Sequence, residues 1–207
     1  MALSASEVKK IKRAAPAVDG VLPIFHERWS SRAFADRDVP LADLKRVFEA
    51  ARWAASSNNE QPWRFVAGRR GTATHEHLAA ALAGFNQKWA PKAPVLILGV
   101  ARTRFVKDDA PNPYALYDLG AASSYLTLQA AALGMTTHQM AGFDKPRARE
   151  LLEIPEEYEF GVTIALGYQD EPETLANEEL IRRESTPRQR KELEELVFSR
   201  WGVGMEW

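Results

Sequence analysis

The chain of 207 residues is predicted to be an α+β protein, a small mixed or antiparallel sheet flanked by helices. Three observations lead there. Leu41, Leu44, Val47, Phe48 and Ala51 recur at helical spacing and draw one apolar stripe. Val95 to Val100 is a continuous apolar run behind Pro94, the pattern of a strand buried on both faces. Leu119 to Leu133 is apolar or small almost throughout and is followed by Gly134, which suits the position just past a helix. A helix apolar all round belongs at the centre of a protein or at an interface.

The remaining elements follow in order. Ser6 and Glu7 open a short helix that Pro16 ends. Within it Lys9-Lys10-Ile11-Lys12-Arg13 is a solvated basic face, because Val8, Ile11 and Ala15 supply the apolar side. The helix from Leu41 closes near Trp53, Arg64 to Ala67 is a strand, and Gly68 to Gly71 is its turn. An alanine-rich helix runs from His75 to Ala83 and stops at Gly84. Thr136 to Met140 and Val162 to Leu166 are strands, with a helix from Pro146 to Leu152 between them. The stripe Tyr125 to Leu133 is assigned to the core. From Asp170 to Arg190 the chain is dense in charge and poor in apolar anchors, yet it ends in Leu193, Leu196, Val197, Phe198, Trp201 and Trp207. A polar stretch with an aromatic end suggests an arm that packs on a second copy of the chain. No linker divides the sequence, so residues 1–207 are expected to form one domain.

Composition excludes several functions. Apolar residues make up 45% and charged residues 27%, with a formal net charge of -1, too weak a field to select nucleic acid or an anionic membrane. There is no cysteine, hence no disulfide, thiol nucleophile or Fe–S cluster. The N-terminus lacks an apolar signal region and the longest apolar run is far too short to cross a bilayer, which points to a soluble, cytoplasmic protein. His26 and His138 are single, and His75 and His77 point to different faces of a helix, so no metal is assigned. Dinucleotide, P-loop, nucleophile-elbow and zincin motifs are all missing.

A scattered set of anion-binding and amide groups remains. Arg28-Trp29-Ser30-Ser31-Arg32 offers two guanidinium forks and two hydroxyls, and Arg188-Gln189-Arg190-Lys191 is a second basic cluster. Ser56-Ser57-Asn58-Asn59-Glu60-Gln61-Pro62-Trp63 is a carboxamide-rich loop, and Asn86 precedes the buried strand. Arginine forks with hydroxyls suit phosphate, whereas Asn, Gln and backbone amides suit the edge of a planar heterocycle. Flavin mononucleotide makes both demands. Two surface ion-pair clusters and an Asn-rich turn would read the same way.

These residues resemble the nitroreductase family. Its Arg-x-Ser-x-Arg opening matches Arg28 to Arg32 followed by Phe34, and its Ala-Arg-Trp-Ala-Pro-Ser stretch matches Ala51 to Trp63. Asn86, Trp89, Ala90, Ala93 and Pro94, the helix Asp118 to Gly134, the turn Gly142-Phe143-Asp144, the strand ending in Gly167-Tyr168 and the basic element Arg188 to Lys191 follow in the family's order. The resemblance spans about residues 24–202. It implies a domain-swapped homodimer with an extended C-terminal arm and one FMN in each of two interfacial sites. Arg28, Ser30, Arg32, Arg188 and Arg190 would hold phosphate, ribityl chain and pyrimidine edge. Ser57 and Asn59, within the loop that also carries Gln61, would reach the ring from the second subunit, joined by Asn86. The backbone at Ala141-Gly142 would face flavin N5. No side chain would act as acid or base, and Arg32 would stabilise charge at N1/O2. The implied activity is ping-pong reduction of nitroaromatics, quinones or related acceptors by NAD(P)H, with hydride passing through flavin N5. A flavin-binding or redox-sensing protein without turnover, a dehalogenase and a flavin-degrading oxygenase are the alternatives. Two positions depart from the family: Ala55 replaces the usual proline, and Ala141 replaces the glutamate of one branch.

Overall fold

A computed structural model describes residues 18–207. The expected helix from Ser6 to Pro16, with its basic face, lies outside the described residues. A short helix α1 (Pro23–Glu27) leads into an extended segment and then α2 (Leu41–Arg52), whose buried residues Leu44, Val47 and Ala51 are the inner face of the expected stripe. Strand β1 (Trp63–Arg69) is followed by α3 (Ala73–Ala81), capped by the hydroxyl of Thr72, which accepts from the His75 N–H. Then come β2 (Val95–Arg102), α4 (Ala115–Ala132), β3 (Thr136–Met140), α5 (Lys145–Leu152), β4 (Tyr158–Gly167), α6 (Glu178–Ser185) and a small hairpin, β5 (Phe198–Arg200) with β6 (Val203–Gly204).

The main sheet has the order β1-β2-β4-β3, and every neighbouring pair is antiparallel, so the sheet is not mixed. Its central strand shows why both faces had to be apolar. Val95, Ile97 and Ala101 pack with α2 and α4, joining Leu44, Val47, Leu119 and Leu126 in one core. Leu96, Leu98 and Val100 point the other way, into a second core with Leu78, Trp89, Phe160 and Leu180. Alternation along one strand thus supplies two layers, and each fully buried Leu or Ile side chain contributes roughly 1.5–3 kcal/mol.

Four expectations need correction. Gly68 lies inside β1 and makes no turn: a Cβ there would come within 2.2 Å of the His75 backbone nitrogen, so the glycine lets α3 seat on the strand. Strand β4 begins four residues before Val162, because Phe160 is buried in the second core. A Cβ at Gly161 would meet the Leu119 side chain at 2.5 Å, which marks how closely α4 lies on the sheet. Helix α4 presents Leu119, Ala122, Leu126 and Ala130 to the core but leaves Tyr125 45% exposed, so the stripe from Tyr125 to Leu133 is not all core. In the charged stretch after Asp170 the sequence assigns no element, only an arm toward a second copy. The stretch contains α6, capped by the Asn177 side chain and anchored through Leu180, and it packs on its own protomer. Its apolar content was too small to reveal a helix whose inner face includes a carboxylate.

Candidate active site

The segment 29–32 runs beside β3 and is fixed by side chains from two elements, β3 and α6. Thr136 Oγ1 donates to the Trp29 carbonyl at 2.9 Å, His138 Nδ1 meets the Ser30 and Ser31 carbonyls at 3.0 and 3.2 Å, and α6 supplies Glu184. The Glu184 side chain is fully buried, accepting from Ser31 Oγ at 2.6 Å and from the Arg32 N–H at 3.0 Å, and lies 3.8 Å from the Arg32 guanidinium. Downstream of α6 the chain returns to the same place. Arg188 donates to the Arg28 carbonyl at 2.5 Å and to that of His26. Arg28 Nη2 in turn donates to Ser30 Oγ at 3.1 Å.

The result is a cleft of about 420 Å³ lined by Trp29, Ser30, Arg32, His138, Arg183 and Arg188, among others. That volume suits a small organic ligand. Its electrostatics are one-sided. The Arg28 pKa is lowered from the usual arginine range by burial first and then by Arg188 and Arg190. Burial and then Arg190 lower that of Arg188. For Arg32, burial outweighs the raising effect of Glu184, and Arg183 adds to the lowering. The Nε atoms of Arg28 and Arg188 are buried without a hydrogen-bond partner. A buried donor left unpaired costs about 1–3 kcal/mol, more when charged. Clustered cations with idle donors are relieved by an anion that accepts several hydrogen bonds at once, as a phosphate does. The residues present therefore fit a phosphate-bearing ligand.

Beyond the cleft, Asn86 Nδ2 donates to the Gly142 carbonyl at 3.1 Å, and a Cβ on Gly142 would lie 2.8 Å from that nitrogen. Asn86 and the exposed pair Ala141-Gly142, which follows β3 directly, thus form one corner on the cleft side of the sheet.

The Ser57–Gln61 loop lies elsewhere. Ser57 N–H donates to Asp118 Oδ2 at 3.1 Å, in the first turn of α4. Gln61 N–H donates to Ser56 Oγ at 3.0 Å and its carboxamide to the Asn59 carbonyl at 3.1 Å. Asn58, Asn59 and Gln61 all have positive φ, near 50°, a strained geometry for residues with side chains that Asn tolerates best. Register measures the separation. His138 pairs with Ala165, Ala165 with Leu96 and Leu96 with Gly68, five residues along β1 from Trp63. Three strand spacings across and five residues along give roughly 20 Å. The His138 ring packs on Trp89 in one core, whereas the loop is tied to α4 on the other face. Within one protomer the structure brings Arg28, Ser30, Arg32 and Arg188 together with exposed Arg190 near them, and it keeps Ser57, Asn59 and Gln61 away.

Sequence reasoning missed Glu184, Arg183, His138 and Asp118. The histidine was set aside because it had no neighbour in sequence. Glu184 gave no signal, since a glutamate among Arg182, Arg183 and Glu179 reads as solvated.

Known proteins match this architecture. The model of the nitroreductase family matches residues 26–87 and 68–168. The chain belongs to the nitroreductase family. An uncharacterised 15.4 kDa protein of Mycolicibacterium smegmatis is 36% identical over 147 residues, 67% of this chain and 97% of that one. An NADH dehydrogenase of Thermus thermophilus is 28% identical over 173 residues, covering 69% of this chain and 83% of its own. The solved structure of an oxidoreductase containing FMN superposes with a TM-score of 0.85 at 33% identity, over 93% of this chain and 97% of that one. The fold is therefore that of the family, and the last comparison extends past residue 168, where the family model stops, into the segment that carries Arg188 and Arg190. Among the described residues no helix is long and apolar enough to cross a membrane.

Proposed function

We propose that this chain is an FMN-dependent oxidoreductase that uses NAD(P)H to reduce nitroaromatics, quinones or related small acceptors, and that it works as a homodimer. The observation that carries the reading is the arginine cleft: Arg32, Arg183 and Arg188 line it, Arg28 and Arg190 lie close to Arg188, and Glu184 is the carboxylate that orders segment 29–32. The oxidoreductase with FMN and the NADH dehydrogenase among the relatives support it.

FMN, once bound, would supply the redox chemistry between NAD(P)H and the acceptor. The chain's own residues bind and orient. Arg28, Arg188 and Arg190 hold the phosphate with Ser30 assisting. Charge-assisted hydrogen bonds of this kind contribute about 1.5–3 kcal/mol each. Arg32, fixed by the Glu184 contact to its backbone N–H, presents a cation to the pyrimidine edge and stabilises negative charge there. Asn86 and the Ala141-Gly142 backbone border the same region. Ser57, Asn59 and Gln61 serve the site from a second copy, a reading consistent with their distance from the cleft within one protomer. A second copy also accounts for the exposed apolar surface: Tyr117 on α4 is 79% exposed and Trp201 in the β5–β6 hairpin is 90% exposed. Exposed aromatic side chains of this size suit an interface, and the C-terminal hairpin is then the arm that reaches the second copy.

The test begins with the visible spectrum of the purified protein and identification of the chromophore released on denaturation. FMN is expected. A colourless protein that fails to take up added FMN, or one that releases FAD, refutes the reading. Initial-rate measurements with NAD(P)H and a quinone should give parallel double-reciprocal lines, because the sequence carries no dinucleotide fingerprint for a second donor site. Turnover at any steady rate also separates an enzyme from a flavin-binding sensor.

A further inference from the structure

His138 lines the cleft, and its position fixes its chemistry more tightly than that of any other residue there. Nδ1 lies 3.0 Å from the Ser30 carbonyl and 3.2 Å from that of Ser31. Carbonyl oxygens only accept, so Nδ1 carries the proton and donates. The ring packs against Trp89, with centroids 4.6 Å apart. Burial first and then Arg32 push the imidazole down to about 4, so it is neutral at ordinary pH. In a neutral ring protonated at Nδ1, Nε2 is a lone pair, and among the described residues it takes no partner.

Nε2 is thus an acceptor on the cleft wall that a donor on the ligand can meet. Phosphate cannot provide one: beside Arg28, Arg32 and Arg188 the dianion is favoured, and it offers acceptors only. The hydroxyls of the chain that carries the phosphate are donors. We propose that His138 is a specificity-determining residue whose Nε2 accepts a hydrogen bond from an alcohol of that chain, so that the cleft selects a phosphorylated polyol over a phosphate on a plain alkyl tether. The proposal rests on the FMN reading, in which the ribityl chain is that polyol. It adds a ligand contact that neither arginine cluster supplies.

The experiment compares wild-type protein with His138→Phe, titrated with FMN and with the same flavin bearing a hydroxyl-free phosphopentyl chain, by quenching of flavin fluorescence. One neutral hydrogen bond lost should weaken FMN about five- to tenfold, with the phosphopentyl flavin changed less than about twofold. Equal losses for both flavins, or none for FMN, overturn the proposal. Should His138→Phe not fold, nitrogen NMR of histidine-labelled wild-type protein still decides. The resonances of His138 should show Nδ1 protonated and Nε2 moving when FMN is added, and a protonated Nε2, or one indifferent to FMN, overturns it. A wild-type protein that binds neither flavin instead removes the FMN reading and this one with it.

Discussion

The arginine cleft and the Ser57–Gln61 loop, which the proposed function assigns to one ligand, are built in opposite ways. The loop is assembled from neighbours. Asn59 and Glu60 N–H donate to the Ser56 and Ser57 carbonyls and Gln61 N–H to Ser56 Oγ, while Asp118 on the Ser57 N–H and the Val106 N–H on Glu60 Oε1 add two ties from outside. The cleft is assembled from far along the chain: Ser31 reaches Glu184 across 153 residues, and Arg188 reaches the Arg28 carbonyl across 160. A locally closed loop keeps its shape wherever its helix goes, so it can be presented to another copy. A site built from distant segments exists only once both cores have formed. Such a difference would let the proposed site be divided between subunits without either half losing its geometry.

The largest effect that could break this comparison is complementation. A cleft variant, Arg28→Ala with Arg188→Ala, and a loop variant, Asn59→Gly with Gln61→Gly, should each be inactive alone. Glycine suits the positive φ of both loop positions and removes only the carboxamides. In a coexpressed random mixture, half of the dimers are mixed and each contains one intact site, so about a quarter of wild-type NAD(P)H oxidation should return. No recovery would place both halves of the site in one subunit and refute the division.

The two tethers come next. Glu184→Ala removes a buried carboxylate that accepts from Ser31 Oγ and the Arg32 N–H. It should cost about 3–5 kcal/mol in chemical denaturation. Asp118→Ala removes one carboxylate contact with the loop backbone and should cost only about 1–3 kcal/mol. Equal costs would show that the loop depends on distant contacts as much as the cleft does.

Arg32→Ala should lower kcat by about 10²–10³, the usual loss when one donor to developing charge is deleted, with the fold intact by circular dichroism. An unchanged kcat would confine Arg32 to binding. Arg28→Ala should weaken FMN by about one to two decades while riboflavin binding changes far less. Equal losses for the two flavins would mean that the arginine supports the fold and does not read the phosphate.

The smallest effect concerns pH. His138 titrates near 4 in the folded chain, below its ordinary value of 6.5. Between those values the unfolded chain binds the proton and the folded chain does not, so this contribution is complete above about pH 6.5 and is lost as pH falls toward 4. Arg28 and Arg32 on the adjoining segment, with Arg183 and Arg188 across the cleft, oppose the protonated ring. The melting temperature of wild-type protein should therefore fall faster over that range than that of His138→Phe. Parallel profiles would mean that the imidazole is not held neutral.

Much of the fold was legible in the sequence because it is written in local periodicity. Leu44, Val47 and Ala51 had to share a helix face, Val95 to Val100 had to be a buried strand, and Gly134 had to follow α4, where it adopts φ of 74°. Strong periodicity fixes an element regardless of where the rest of the chain goes. The ordered motifs from Arg28 to Lys191 likewise identified the family before any geometry was known. What the sequence left open depends on pairs of residues far apart. Whether Glu184 is a solvated surface charge or the buried anchor of Arg32, whether His138 is an idle strand residue or the neutral lining of a cleft, and whether Ser57 and Arg28 share a protomer's site all turn on which segments meet. Burial and long-range contact change a side chain's protonation and its available partners by amounts comparable to a hydrogen bond or more, and neither quantity is a property of sequence neighbours. Sequence alone determined the elements and the chemical inventory, and only the tertiary structure decided which members of that inventory face one another.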